Sequence, residues 1–175
     1  MISQSRVVGN RIYIVQNGAT FTVPSAGTVS NSTKPGSADI SWVDLGVVDD
    51  FSIKKNAKKI EVYGPRPGRR VRTRTLETNV SHDMEFTGKE LGVTAYQNIF
   101  RSAALTPAST VYNPTSGPTW EGWAKVEQYD QDDNLINTFD VWGMLSVDSI
   151  DFGADVVSPK YMFMVSFSTQ NVGTL

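Results

Sequence analysis

Residues 71–86, VRTRTLETNVSHDMEF, constrain this chain more than any other stretch. Leu76, Val80, Met84 and Phe86 share one parity, with Thr78 and His82 between them. Thr73, Thr75, Glu77, Asn79, Ser81, Asp83 and Glu85 take the other. Side chains of an extended strand alternate between its faces, so this pattern predicts one long strand with an apolar face and a polar face. The polar face turns acidic toward its end. Just before it, residues 64–74 read GPRPGRRVRTR, five arginines in eleven positions. Pro65 and Pro67 cannot donate to a ladder and Gly64 and Gly68 permit sharp turns, so the arginines are expected to begin on an exposed loop.

That cationic knot stands out because the whole chain carries a net charge of −2. Lys54 to Arg74 contains nine basic residues and one acid, Glu61, while Glu121 to Asp155 contains nine acids and one base, Lys125. Each block alone reads as a solvated face. Opposed blocks in one chain also let copies attract one another in a fixed register. At 175 residues the chain fits one domain, 1–175, with a core that needs no staples. It has no cysteine, which excludes disulfides, thiolate catalysis and Cys-based zinc sites. No stretch approaches the ~20 apolar residues of a membrane helix, and the N-terminus lacks the pattern of a signal peptide.

Most of the remaining chain reads as strands. Residues 11–15 and 19–23 flank Asn17-Gly18, a hairpin signal. Residues 24–38, PSAGTVSNSTKPGSA, are almost all small, polar or proline, and are expected to form a mobile arm or long loop that buries little. Residues 40–53 read as strand, turn, strand, and 57–63 as a further strand. Residues 119–150 read as a long hairpin with the acidic tip Asp130-Gln-Asp-Asp-Asn134, and 160–168 as a closing strand. One helix is expected over about 88–104. Thr87 and Glu90 fit a capping box, Phe86 and Leu91 a staple, and Leu91, Ala95, Ile99 and Phe100 keep helical spacing. The fold class is therefore mainly β, a β-sandwich or partial barrel with one flanking α-helix.

No residue set points to catalysis. Ser81 and Asp83 lie on the opposite parity from His82, the single histidine, which is read as structural. No phosphate-binding glycine loop or dinucleotide fingerprint occurs, and Asp130–Asn134 lacks the glycine and distal glutamate of a calcium loop. The expectation is a protein that is not an enzyme, with no cofactor and no metal.

WVDLGVVDDFSI at 42–53 and Phe86-Thr-Gly-Lys-Glu-Leu91 resemble motifs of the tail tube proteins of long-tailed bacteriophages. So does the order of elements over most of 40–168. The resemblance implies hexameric rings stacked into a hollow virion tube, assembled in the bacterial host cytoplasm. DNA passes through such a tube without specific binding, other tail proteins are partners, and nothing inserts into a membrane. On this view the loop carrying Arg66, Arg69, Arg70 and Arg72 reaches a neighbouring subunit, with Asp130, Asp132 and Asp133 as its partners. Glu77, Asp83 and Glu85 are the candidate lumen face, since a negative wall would not hold passing DNA. Two other readings stand beside it. One is a different virion or secretion-system structural protein, such as a completion or decoration protein. The other is a β-rich module that binds nucleic acid or glycan.

Overall fold

The computed structural model describes residues 7–21, 27–89, 119–152 and 157–166. Eight strands are seen among them: β1 (Gly9–Gln16), β2 (Thr20–Phe21), β3 (Gly27–Thr28), β4 (Val43–Arg66), β5 (Arg69–Gly88), β6 (Thr119–Tyr129), β7 (Leu135–Phe152) and β8 (Val157–Val165). Six of them close into an antiparallel barrel in the order β1-β4-β5-β8-β7-β6, with β6 returning to β1. Closure removes the free edges that an open sheet or sandwich would keep.

Alternation fills the barrel. Ile12 and Ile14 of β1, Met84 and Phe86 of β5, Ala124 and Val126 of β6, and Tyr161 and Phe163 of β8 point inward and join one core. Phe86 stacks on Tyr161 with centroids 5.1 Å apart. A second, smaller core lies on the outer wall. Val15, Trp123 and Trp142 belong to outward parities, and Phe21 and Val29 cover them.

The cover is a strap formed by residues 27–42. Composition argued that 24–38 buries little. From Gly27 onward the chain instead packs on the barrel, with Val29 and Pro35 fully buried. Polar side chains of the barrel hold its backbone. Trp123 Nε1 donates to Ser30 O at 2.7 Å and Thr33 O at 3.0 Å, and Lys125 Nζ donates to Ser37 O at 3.0 Å. Two apolar anchors and a set of backbone carbonyls suffice, and composition averages over both.

Other expectations are corrected by pairing. Asn17-Gly18 does form a turn, with Gly18 at φ 82°, but β1 pairs with β4 and β6 and not with the segment after the turn. Thr20–Phe21 pairs with Gly27–Thr28. The separate strands read over 40–63 are one continuous β4, bent by bulges and not broken. Gly46, at φ 84°, and Asp50, at φ 52°, sit at its first two irregularities. The flanking helix lies outside the described residues except at its start. There Thr87 and Gly88 pair with Asp49 and Val48 and extend β5, so Thr87 is not a helix N-cap. A Cβ on Gly88 would lie 3.1 Å from Pro159 and 3.2 Å from Tyr161, a close approach that explains glycine at that position. Among the described residues no helix is long and apolar enough to cross a membrane.

Candidate interaction surface on the two-stranded arm

β4 and β5 outrun the barrel. β1 accompanies β4 only as far as Val48, and β8 accompanies β5 only between His82 and Thr87. Beyond these limits, Asn56–Arg66 and Arg69–Ser81 pair only with each other among the described residues. Eleven residues at about 3.3 Å each give an arm about 35 Å long. It closes at Pro67-Gly68, with Arg66 opposite Arg69 and Gly68 at φ 77°. Proline followed by a positive-φ glycine suits the two central places of a type II turn. The arginines thus crown a hairpin, and the strands run up to Arg66 and out again from Arg69 despite Pro65 and Pro67.

The register assigns each arm residue to a face. Met84 and Phe86 enter the core, so Asp83 and Glu85 face outward at the base. Their cross-strand partners Lys54 and Ser52 share that side. A bulge between Asn56↔Ser81 and Lys58↔Thr78, with Asn79 at φ 51°, then inverts the parity of β5. Asn tolerates the left-handed conformation such a bulge requires. Above the bulge the outer face carries Lys58, Ile60, Val62 and Arg66 of β4, opposite Thr78, Leu76, Arg74 and Arg69 of β5. The inner face carries Lys59, Glu61 and Tyr63 with Glu77, Thr75, Arg72 and Arg70, on the side of Lys55 below the bulge; a second shift, between Val62 and Tyr63, inverts the parity of β5 again before the tip.

This inversion separates the three acids grouped by sequence parity. Glu77 lies on the inner face, while Asp83 and Glu85 lie on the outer wall. All three are engaged within the subunit: Glu77 with Lys55, Glu85 with Lys54 at 2.5 Å, and Asp83 with Asn56 at 2.6 Å. The hydrogen bond from Lys55 holds Glu77 below the usual carboxylate range. Glu61 is lowered likewise, first by the Tyr63 hydroxyl and then by Arg72 at 2.8 Å. As one negative wall the three acids do not come together.

Arg72 is therefore committed to Glu61. Lys58, Lys59, Arg66, Arg69, Arg70 and Arg74 form no ion pair among the described residues, although Lys59 adds to the lowering of Glu77. Four of these six cations, Lys58, Arg66, Arg69 and Arg74, lie on the outer face. No carboxylate shares that face above the bulge. Ile60 and Val62 stand between them, 44 % and 40 % exposed.

The acidic turn is well formed. Asp130 Oδ1 accepts the Asp132 and Asn134 amides at 2.8 and 2.9 Å, which lowers the Asp130 pKa, and Asp133 takes φ 59°. Its place in the barrel is informative. β4 and β6 flank β1 and both run antiparallel to it, so the arm and the turn after Tyr129 leave the barrel at the same end. Within one subunit Asp130, Asp132 and Asp133 therefore lie at the base of the arm and not at its arginine tip, so the fold of a single chain does not bring the two sets together.

A buried polar cluster, not singled out in the sequence, lies on the outer wall under the strap. Lys125 is only 5 % exposed. Its ammonium pairs with Glu127 at 3.1 Å and sits 4.1 Å from the Tyr13 ring centroid. Burial opposes ionisation of Glu127, but hydrogen bonds from Tyr129 and Lys125 prevail and hold its pKa below the usual range. Tyr129 in turn is pushed up to about 12, chiefly by its hydrogen bond to Glu127. The sequence signal was Lys125 on the same parity as Trp123, which a half-exposed strand would not have required. His82 is half-buried at the foot of the arm, and among the described residues no group of three metal-binding side chains gathers. Compared with protein-family models and with curated proteins, the chain matches none.

Proposed function

We propose that this chain is a structural subunit that assembles with copies of itself. The architecture we favour is hexameric rings stacked into the hollow tail tube of a bacteriophage, through which DNA passes. The observation that carries the self-assembly is the arm. Its β4 edge is unpaired from Asp49 to Arg66 and its β5 edge from Arg69 to Ser81 among the described residues. Unpaired strand edges are templates for further pairing, and monomeric proteins keep them short, twisted or covered. Ile60, Val62, Tyr63 and Val80 are all 40 % or more exposed along the same arm. A two-stranded ribbon is marginal in water by itself and gains stability from a third strand. A neighbouring subunit supplies that strand. The ring number, the tube and the virion location rest on the resemblance of residues 42–53 and 86–91 to tail tube proteins.

Negative-stain electron microscopy of the purified, concentrated protein tests the reading. Hollow tubes or six-fold rings are expected. Assemblies of another symmetry would keep the subunit reading and overturn the tube. Monodisperse monomers at every concentration would overturn both.

A further inference from the structure

We propose that the outer face of the arm is a binding surface for double-stranded DNA, held through its phosphate backbone. The inference goes beyond self-assembly and does not depend on it, since a lone subunit would show it. Three observations lead to it. First, Lys58, Arg66, Arg69 and Arg74 share that face and have no ion-pair partner among the described residues. Second, the arm's own acids, Glu61 and Glu77, lie on the other face, where each is held by a cation. Third, Arg66 and Arg69 are directly opposed at the tip, an arrangement that costs stability in the free subunit. An anion at the tip relieves that repulsion.

The shape of the arm chooses among polyanions. The major groove of B-DNA is about 12 Å wide and admits a two-stranded β-ribbon, whereas that of A-form RNA is too narrow for side chains to enter. On the outer face the cations occupy three levels: the Arg66/Arg69 pair, then Arg74, then Lys58. Successive levels are four residues apart on β4, which is about 13 Å. They therefore follow a phosphate backbone over more than one contact. Ile60 and Val62 between them are apolar, and cations engaged with phosphate oxygens carry no sequence information, so the binding is insensitive to sequence. The acidic turn of a second copy is the competing occupant, and the self-association readout below separates the two.

The test is fluorescence anisotropy with a labelled 20-base-pair DNA of random sequence, at a protein concentration where light scattering shows no assembly. Four phosphate contacts predict a slope of log affinity against log salt of about −3.6, or roughly 150-fold weaker binding at 200 mM than at 50 mM salt. The double variant R66E/R69E should lose at least tenfold in affinity at low salt. Lys160→Glu, remote from the arm, should bind as the parent does. Circular dichroism checks that both fold. Duplex RNA of the same length should bind more weakly than DNA. No binding at 50 mM salt, or binding that R66E/R69E leaves intact, would overturn the proposal. Equal binding of RNA would overturn the choice of DNA. A change in self-association with no DNA binding would assign the arginines to a protein neighbour and overturn it as well.

Discussion

Replacing Trp123 with phenylalanine isolates what holds the 27–42 strap to the barrel. The indole is 4 % exposed and meets Trp142 edge to face, with centroids 5.6 Å apart. Its N–H is shared between the Ser30 and Thr33 carbonyls at 2.7 and 3.0 Å. Phenylalanine keeps the edge contact and loses the donor, a loss of about 1 kcal/mol because the two acceptors share a single proton. The smaller ring also buries roughly 50 Å² less, which at about 25 cal/mol/Å² adds about 1 kcal/mol. The sum, about 2 kcal/mol, should appear first as local opening. The Val29 amide, bonded to Ala19 O at 2.8 Å, should exchange about 30-fold faster in W123F, with inner strands such as β5 and β8 unaffected. Hydrogen exchange with mass spectrometry reads this directly. Equal exchange over 27–33, with denaturant stability within about 0.5 kcal/mol of the parent, would refute the view that Trp123 secures the strap.

Other positions give sharper contrasts. A Cβ on Gly122 would lie 2.0 Å from Val15 O and 3.1 Å from Asn17 N, both backbone atoms that cannot swing aside, so Gly122→Ala should cost about 3 kcal/mol or prevent folding. Denaturant melts measure it, and a loss under about 1 kcal/mol would contradict the packing of β6 on β1. At the buried pair, Glu127→Gln strands the ammonium of Lys125 and should cost about 3 kcal/mol, whereas Lys125→Met leaves Glu127 still accepting from the Tyr129 hydroxyl at 2.6 Å and should cost less. The reverse order would mean that Lys125 is needed for its hydrogen bond to Ser37 and not for charge balance. The Tyr129 phenol, raised to about 12 from an ordinary 10, stabilises the fold fully below pH 10 and loses that contribution as pH rises to 12. Alkaline ultraviolet titration should therefore lose its component near 12 in Tyr129→Phe, and an unchanged curve would remove Tyr129 from the Glu127 network.

Much of the barrel was legible because its strands alternate. β5, the β6–β7 hairpin with its acidic turn, and the inward side of β8 all follow period two or strong turn residues. What escaped was set by partners distant in sequence. The bulge at Asn79 becomes visible only once β4 is laid beside β5, and it alone decides that Glu77 and Glu85 face opposite ways. The continuity of β4 through Gly46 and Asp50 likewise depends on the strands it joins, since both residues read locally as breaks. Polar composition over 24–38 concealed Val29 and Pro35, because two buried anchors are invisible in an average. The arginines were legible as exposed, but not as the crown of a free ribbon. That requires knowing where β1 and β8 stop.

The most direct test of the account removes the arm and leaves the barrel. Residues 56–81 pair only with one another among the described residues, so joining Lys55 to His82 through Asn-Gly spares every strand-to-strand contact of the barrel. Sedimentation velocity of the full chain and of this variant, over a range of concentrations, compares their masses. The full chain should grow into large assemblies, while the shortened chain, folded by circular dichroism, stays monomeric. Equal assembly of the two would show that the arm is not the joint between subunits.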